Sequence, residues 1–94
     1  MTVVFIPKET ATGETRVAAT PETVARMCKN GLEVLVERDA GVTAFFSNQA
    51  FQEAGANIVA AEDGYSRGKL VLKVAPPSVA EASKIKRGSV LVSF

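Results

Sequence analysis

The amino-acid sequence predicts an α/β fold, a doubly wound parallel sheet built as a Rossmann-like or flavodoxin-like layer sandwich. Short apolar, β-branched runs alternate with segments of helical pattern along the 94 residues. The stretches between successive runs are too long for hairpins, which favours parallel strands joined by helical crossovers. Hydrophobic types form 47% of the chain and charged types 22%, a balance typical of a packed globular domain. We therefore expect one compact unit over residues 1–94.

The strands are predicted from apolar runs bounded by turn residues. The first is Thr2–Ile6 (TVVFI), closed by Pro7, and its continuous apolar character indicates burial on both faces of a parallel sheet. Four more runs have strand character: 32–37, 57–59, 69–74 and 89–94. Because the chain ends inside the last of these without a polar tail or cap, we expect it to be an incomplete piece of a longer protein.

The helices are predicted from capping residues followed by apolar positions at helical spacing. Thr20 and Pro21 mark the start of a helix that runs toward Gly31. Ser47 starts a short helix that stops at Gly55, and Ser78 with Glu81 forms a capping box for a helix over 78–87. The stretch 60–68 shows no clear period, so it is interpreted as a loop or a frayed helical turn.

Composition excludes several functions. Eleven basic residues are scattered among ten acidic ones, so no cationic stripe predicts nucleic acid binding or direct membrane contact. There is no histidine and only Cys28 among the cysteines, so we predict no metal site, no catalytic residue in this chain and a reducing, cytoplasmic location. No glycine-rich phosphate motif occurs, so no cofactor-binding residue is predicted and the chain alone is not expected to hold a dinucleotide.

Two basic residues are candidates for an anion site. Ligands bind beyond the carboxyl ends of parallel strands, where Lys73 ends the KLVLKV run and Arg16 lies in the loop after the first strand. A guanidinium fork and an ammonium together suit a small carboxylate substrate. The alternative is structural: Arg16 pairs with Glu9 or Glu14, and Lys73 neutralises a neighbouring carboxylate. Spacing alone favours this alternative, because ion pairs also occupy strand ends. In both cases we expect Arg16 and Lys73 to converge at this edge, with Glu9 or Glu14 as the anion beside them when no substrate is bound.

Other distinctive side chains are interpreted as packing residues. Cys28 lies on the apolar side of its helix, where a packed thiol is expected rather than a reactive one. Phe45 and Phe46 are either core residues or interface anchors, with the core favoured. Tyr65 falls in the stretch without a period and is assigned no role.

The most specific strings are Ile6-Pro7-Lys8-Glu9 and Gly13-Glu14-Thr15-Arg16-Val17-Ala18-Ala19-Thr20-Pro21. With Ala40-Gly41, Ala54-Gly55-Ala56 and Leu72-Lys73-Val74, they resemble the N-terminal region of the alanine dehydrogenase and nicotinamide nucleotide transhydrogenase α-subunit family. The resemblance covers the whole chain. Its ending, Leu91-Val92-Ser93-Phe94, is more similar to the transhydrogenase branch than to the alanine dehydrogenases.

This resemblance implies a parent enzyme in which the present chain begins the substrate-side subdomain and a second, NAD-binding Rossmann subdomain follows. In the transhydrogenase branch, the parent transfers hydride between NAD(H) and NADP(H), coupled to proton translocation. Its implied partners are NADP-binding and membrane components, with a homodimeric subunit on the cytoplasmic side of the inner membrane. In the alanine dehydrogenase branch, the positions matching Arg16 and Lys73 contact pyruvate. A non-enzymatic α/β binding module is the alternative of a different class.

Overall fold

A computed structural model describes residues 2–9, 17–74 and 90–93 of the chain. Five strands and three helices lie in these ranges. The strands are β1 (Val3–Ile6), β2 (Glu33–Glu37), β3 (Asn57–Val59), β4 (Leu70–Lys73) and β5 (Val90–Ser93). The helices are α1 (Pro21–Lys29), α2 (Asn48–Glu53) and α3 (Ala61–Arg67), with a short 3-10 turn at Val42–Ala44.

All five strands join one parallel sheet in the order β3-β2-β1-β4-β5. Strand β1 is central: Phe5 pairs with Leu35 on one side and with Val71 on the other. Val4, Phe5 and Ile6 have no exposed surface, as expected for a strand covered on both faces. The predicted parallel sheet is confirmed.

The side chains of β1 alternate between two apolar clusters, one on each face of the sheet. Val4 and Ile6 pack with Val24 of α1 and Phe51 of α2. Phe5 points to the opposite face, where it packs with residues of two neighbouring strands and of α3: Leu35, Val71 and Tyr65. Helices therefore cover both faces, which confirms the doubly wound α/β class.

Helices α1 and α2 begin at the residues that the sequence predicts. The hydroxyl of Thr20 accepts a hydrogen bond from the Thr23 amide at 3.2 Å, and Pro21 fills the first helical position. The hydroxyl of Ser47 accepts one from the Ala50 amide at 3.1 Å. Cys28 is half-buried and packs against the cluster of Val4 and Ile6, as a packing thiol should.

Of the two interpretations of residues 60–68, the loop is wrong and the helical turn is nearer the structure, because Ala61–Arg67 forms α3. Glu62 and Asp63 lie in its first turn, where carboxylates favour the helix dipole, and Arg67 reaches back to Asp63 at 3.2 Å. Helix α3 contacts the sheet through Gly64 and Tyr65, both buried. The Tyr65 ring meets Phe5 edge to face, with centroids 5.0 Å apart.

The two neighbouring phenylalanines separate. Phe46 packs edge to face on the buried Phe51 at a centroid distance of 6.2 Å. Phe45 is 96% exposed. The core interpretation therefore suits Phe46 and is wrong for Phe45, because the backbone at Phe45 turns into the left-handed region (φ 66°) and directs its side chain away from the core.

One predicted element, the helix over 78–87, lies outside the described residues, as does Arg16. Within the described ranges, none of the helices is both long enough and apolar enough to cross a membrane.

Candidate functional site

The sheet order changes direction between β1 and β4. The chain leaves β1 toward β2 and β3 on one side, and it leaves β4 toward β5 on the other. Because the connections after these adjacent strands diverge, this is the topological switch point of the sheet, and ligands of open α/β sheets bind beyond the carboxyl ends of the strands at such points. The residues that follow β1 and end β4 are therefore the first to inspect for function.

Glu9 and Lys73 meet at this point. Lys73 is the last residue of β4, and Glu9 follows β1 after Pro7, which directs the chain out of the strand. Glu9 Oε1 lies 3.2 Å from Lys73 Nζ, and Glu9 Oε2 accepts a hydrogen bond from the Val74 amide at 2.9 Å. One carboxylate thus contacts two donors from consecutive residues at the end of β4.

This ion pair is shielded from solvent, with the side chains 1% (Lys73) and 2% (Glu9) exposed. Removing two charges from water is costly unless they neutralise each other and their remaining donors and acceptors find partners. The pairing with Lys73 and the Val74 amide supplies such partners for Glu9. No buried side-chain nitrogen or oxygen among the described residues lacks a hydrogen-bond partner.

A second polar contact joins the end of β1 to β2. The Lys8 amide donates to Glu37 Oε1 at 3.0 Å, and Glu37 is the last residue of β2. Together with the Glu9 contacts, this places polar links across the carboxyl ends of three adjacent strands, β2, β1 and β4. The chain after β1 is thus held to the strand on either side of it.

Of the two predicted substrate-binding residues, the structure describes only Lys73, and it places this residue at the predicted edge. The convergence of Arg16 and Lys73 on one anion site stays a prediction. The structure does resolve which carboxylate lies beside Lys73 within the described ranges: it is Glu9, one of the two candidates from the sequence. The described residues contain no group of three or more Cys, Asp and Glu side chains that could hold a metal ion.

The contribution of Glu37 was missed by the sequence analysis. The sequence does carry one indication of it. Glu37 is an acidic residue at the carboxyl end of a buried strand, and the residues after β1 lie at the same end of the sheet. Its partner is a backbone amide, however, and a backbone donor leaves no mark in the residue types.

Comparisons with known proteins agree on one family. Residues 5–94 match the family described as "Alanine dehydrogenase/PNT, N-terminal domain". Over 92 residues, the chain is 42% identical to the NAD(P) transhydrogenase subunit alpha of Haemophilus influenzae and 37% identical to the alanine dehydrogenase of Bacillus subtilis. These alignments cover 98% of this chain but only 18% and 24% of the two relatives.

Solved structures give the same result. The transhydrogenase of Sinorhizobium meliloti superposes with a TM-score of 0.92 at 35% identity, over 97% of this chain and 27% of that one. An L-alanine dehydrogenase superposes with a TM-score of 0.93 at 33% identity, over 98% of this chain and 26% of that one. The chain thus spans about a quarter or less of the length of each of these relatives.

Proposed function

The chain belongs to the alanine dehydrogenase/PNT N-terminal domain family, and from this membership we propose that it is the N-terminal segment of the α subunit of a proton-translocating NAD(P) transhydrogenase. Its relatives are oxidoreductases of two kinds, transhydrogenases and alanine dehydrogenases. In the proposed parent, hydride passes between NAD(H) and NADP(H). The present chain would form part of the substrate-side subdomain of that enzyme.

The burial of Lys73 against Glu9 is the observation that carries the choice of branch. An alanine dehydrogenase would use Arg16 and Lys73 to contact the carboxylate and carbonyl of pyruvate, which requires an amine that reaches the substrate. A transhydrogenase has no keto-acid substrate. The Lys73 amine is 1% exposed and lies 3.2 Å from a buried carboxylate, an arrangement that supports a structural role and hence the transhydrogenase branch.

Alanine dehydrogenase is the second candidate, and the geometry of the same contact favours it in one respect. Lys73 Nζ and the Val74 amide together form a carboxylate-binding site with two donors at the topological switch point. The Glu9 carboxylate occupies that site in this structure. For pyruvate or alanine to use it, Glu9 would have to leave, exchanging one carboxylate for another.

The described residues do not fit a dinucleotide. Binding of a pyrophosphate after β1 needs a glycine-rich turn that lets the backbone approach the phosphates. Here β1 is followed by Pro7, Lys8 and the buried Glu9, and the Glu37 carboxylate at the end of β2 accepts the Lys8 amide. We therefore assign NAD to a second Rossmann subdomain of the parent, and NADP to a partner component.

The proposal extends to the assembly of the parent enzyme and to its place in the cell. Its α subunit would be a homodimer that works with NADP-binding and membrane components. It would be cytoplasmic and peripheral to the inner membrane through that complex. The present chain would contact neither the membrane nor nucleic acid directly.

The test uses the full-length parent protein with its partner components. Hydride transfer from NADH to an NADP analogue is measured beside alanine-dependent reduction of NAD. We expect the first activity and not the second. Lys73→Met should leave hydride transfer within about twofold once folding is verified by circular dichroism, because the residue is structural in this branch.

Two variants make the result decisive. Lys69→Met removes an exposed lysine directly before β4 and controls for the loss of one positive charge. Glu9→Gln/Lys73→Met removes both buried charges and protects against misfolding of the single variant. Alanine oxidation that Lys73→Met abolishes and Lys69→Met preserves would assign the parent to the alanine dehydrogenases instead.

A further inference from the structure

Asn30 is followed by Gly31 at the point where α1 ends and the chain turns toward β2. The side-chain amide of an asparagine is open to attack by the backbone nitrogen of the next residue, and glycine has no Cβ to hinder that approach. The other two asparagines of the chain precede larger side chains: Asn48 precedes Gln49, and Asn57 precedes Ile58. The sequence context therefore singles out Asn30 for loss of its amide.

The surroundings of Asn30 leave room for this chemistry. Asn30 and Gly31 are both exposed, so solvent reaches the side-chain amide and the backbone nitrogen. Among the described residues other than the chain neighbours of Gly31, none has an atom within 4 Å of the position that a Gly31 Cβ would take. Packing therefore does not block the reaction.

The Gly31 nitrogen is held in a hydrogen bond in the folded chain. Its amide donates to the Cys28 carbonyl at 3.1 Å, and the next amide, of Leu32, donates to the Met27 carbonyl at 3.1 Å. These two bonds form the Schellman closure of α1, in which Gly31 takes a left-handed backbone (φ 87°). The nitrogen can attack only after its hydrogen bond to Cys28 opens.

Asn30 is held at the same helix end. Its side-chain amide donates to the Arg26 carbonyl at 3.0 Å. Its ψ of 13° directs the Gly31 nitrogen away from the side chain, whereas a five-membered ring through both requires that nitrogen to lie beside Cβ. Asn30 must therefore leave its place at the helix end before it reacts. A helix end opens at a lower cost in free energy than the whole domain unfolds.

We propose that Asn30 is a deamidation site of the folded chain, and that opening of the end of α1 controls its rate. Once the end is open, the Gly31 nitrogen gives its proton to a solvent base and forms a bond to Asn30 Cγ. The side-chain nitrogen takes up a proton and leaves as ammonia. Water then opens the cyclic imide at either carbonyl, which gives aspartate or isoaspartate. The net reaction converts an amide and a water into a carboxylate and an ammonium ion.

The product weakens the same helix end. An aspartate carboxylate cannot donate to the Arg26 carbonyl, and it adds negative charge beside the last carbonyls of α1. Isoaspartate adds a carbon to the backbone before Gly31, so the two Schellman bonds cannot both keep their geometry. We expect both products to lower the urea midpoint, and isoaspartate to lower it more. The inference does not depend on the proposed function, because it uses only the turn between α1 and β2.

The test incubates the 94-residue chain at mildly alkaline pH, both folded and in concentrated urea, and follows the masses of its peptides. The folded chain should be modified at Asn30 while Asn48 and Asn57 stay intact. In urea, the rate at Asn30 should rise at least about tenfold, because no helix end then holds the dipeptide. Asn30→Gln keeps a side-chain amide but lengthens the side chain, so this control should show no modification at that position. A folded chain whose Asn30 reacts no faster than its Asn48, or equal Asn30 rates in the folded and unfolded chains, would overturn the proposal.

Amide hydrogen exchange tests the role of local opening without a substitution. The Gly31 amide must leave Cys28 both to exchange and to attack, so folding should slow deamidation by at least the protection factor of that amide. Slowing by less than this factor would contradict the proposal.

Two variants then distinguish the two ends of α1. Leu32→Ala removes a side chain that packs against the core directly after the turn, and it should speed both exchange at Gly31 and deamidation at Asn30. Thr20→Ala removes the cap at the other end of the same helix and should change neither rate. A Leu32→Ala chain with faster exchange but unchanged deamidation, or a Thr20→Ala chain with the same acceleration as Leu32→Ala, would show that the end of α1 does not control the reaction.

Discussion

Glu9 follows the first strand in chain order and Lys73 ends the fourth, and their charged atoms lie 3.2 Å apart in the interior. Strand β1 is central, so the segment after it lies beside the end of β4. The pair therefore joins the segment after β1 to the end of β4, at the point where the strand order changes direction. Its contribution to stability can be measured.

Glu9→Gln should lower the free energy of unfolding by about 3 kcal/mol, because it leaves a buried ammonium without this counter-charge. The glutamine oxygen still accepts the Val74 amide, so the loss reports the charge. Urea unfolding measures it. Glu22→Gln is the matched control, since the Glu22–Arg26 pair is closer, at 2.8 Å, but about three-quarters exposed; its effect should stay within about 0.5 kcal/mol.

The double variant Glu9→Gln/Lys73→Met should be less destabilised than the sum of its two single variants, because neither charge then stays buried after losing its partner at 3.2 Å. Equal, small effects for Glu9→Gln and Glu22→Gln would contradict the role assigned to the buried pair.

Gly64→Ala should destabilise the fold by about 2 kcal/mol, a typical cost of overpacking a core. A Cβ at Gly64 would overlap the ring of Phe5, which is fully buried and cannot move aside. Thermal and urea unfolding measure the effect. Gly31→Ala is the comparison: its φ of +87° disfavours alanine, but nothing lies within 4 Å of the new Cβ, so about 1 kcal/mol is expected from the backbone alone.

A compensating change checks the cause. Phe5→Leu in the Gly64→Ala background should recover part of the loss, because a smaller side chain makes room for the Cβ. If Gly64→Ala and Gly31→Ala lower the free energy of unfolding by the same amount, close packing of α3 on Phe5 is not the cause of the destabilisation.

Phe45→Gly and Phe46→Ala should change stability in opposite directions. The first relieves a left-handed backbone and removes an exposed ring, so the monomer should gain about 1 kcal/mol. The second removes a ring packed on Phe51 and should lose about 2 kcal/mol. Urea unfolding of each variant measures the change. A loss of stability in Phe45→Gly would show that the ring supports its own chain.

Titration of the 94-residue chain with NADH should give no saturable binding at micromolar concentrations, because β1 is not followed by a glycine-rich turn. Isothermal calorimetry and NADH fluorescence are independent readouts. Saturable micromolar binding would place a nucleotide site within this chain.

The sequence predicted the elements whose burial depends on apolar side chains. The run Val3–Ile6 and the caps at Thr20 and Ser47 carry their own local signals, and the structure follows them. Helix α3 has no such signal, because it approaches the sheet through Gly64, where the missing side chain makes the contact. An apolar period cannot record a contact made by the absence of a side chain.

The candidate site was predictable in part for a related reason. The position of Lys73 at a strand end follows from the sequence pattern. The choice between Glu9 and Glu14 as its partner does not, because it depends on the path that the chain takes after Pro7. Phe45 and Phe46 are likewise identical in type, and only the left-handed turn at Phe45 separates their roles.

The central position of β1 determines the order in which its two neighbouring strands become available for pairing during synthesis. In the folded sheet Val4 lies between Val34 and Leu70, and Leu70 leaves the ribosome 36 residues after Val34. During that interval, β1 of the nascent chain has one edge open, and an open apolar edge is prone to pairing with other chains. The completion of the sheet therefore depends on a contact between distant parts of the sequence, which makes folding slow for a chain of this size.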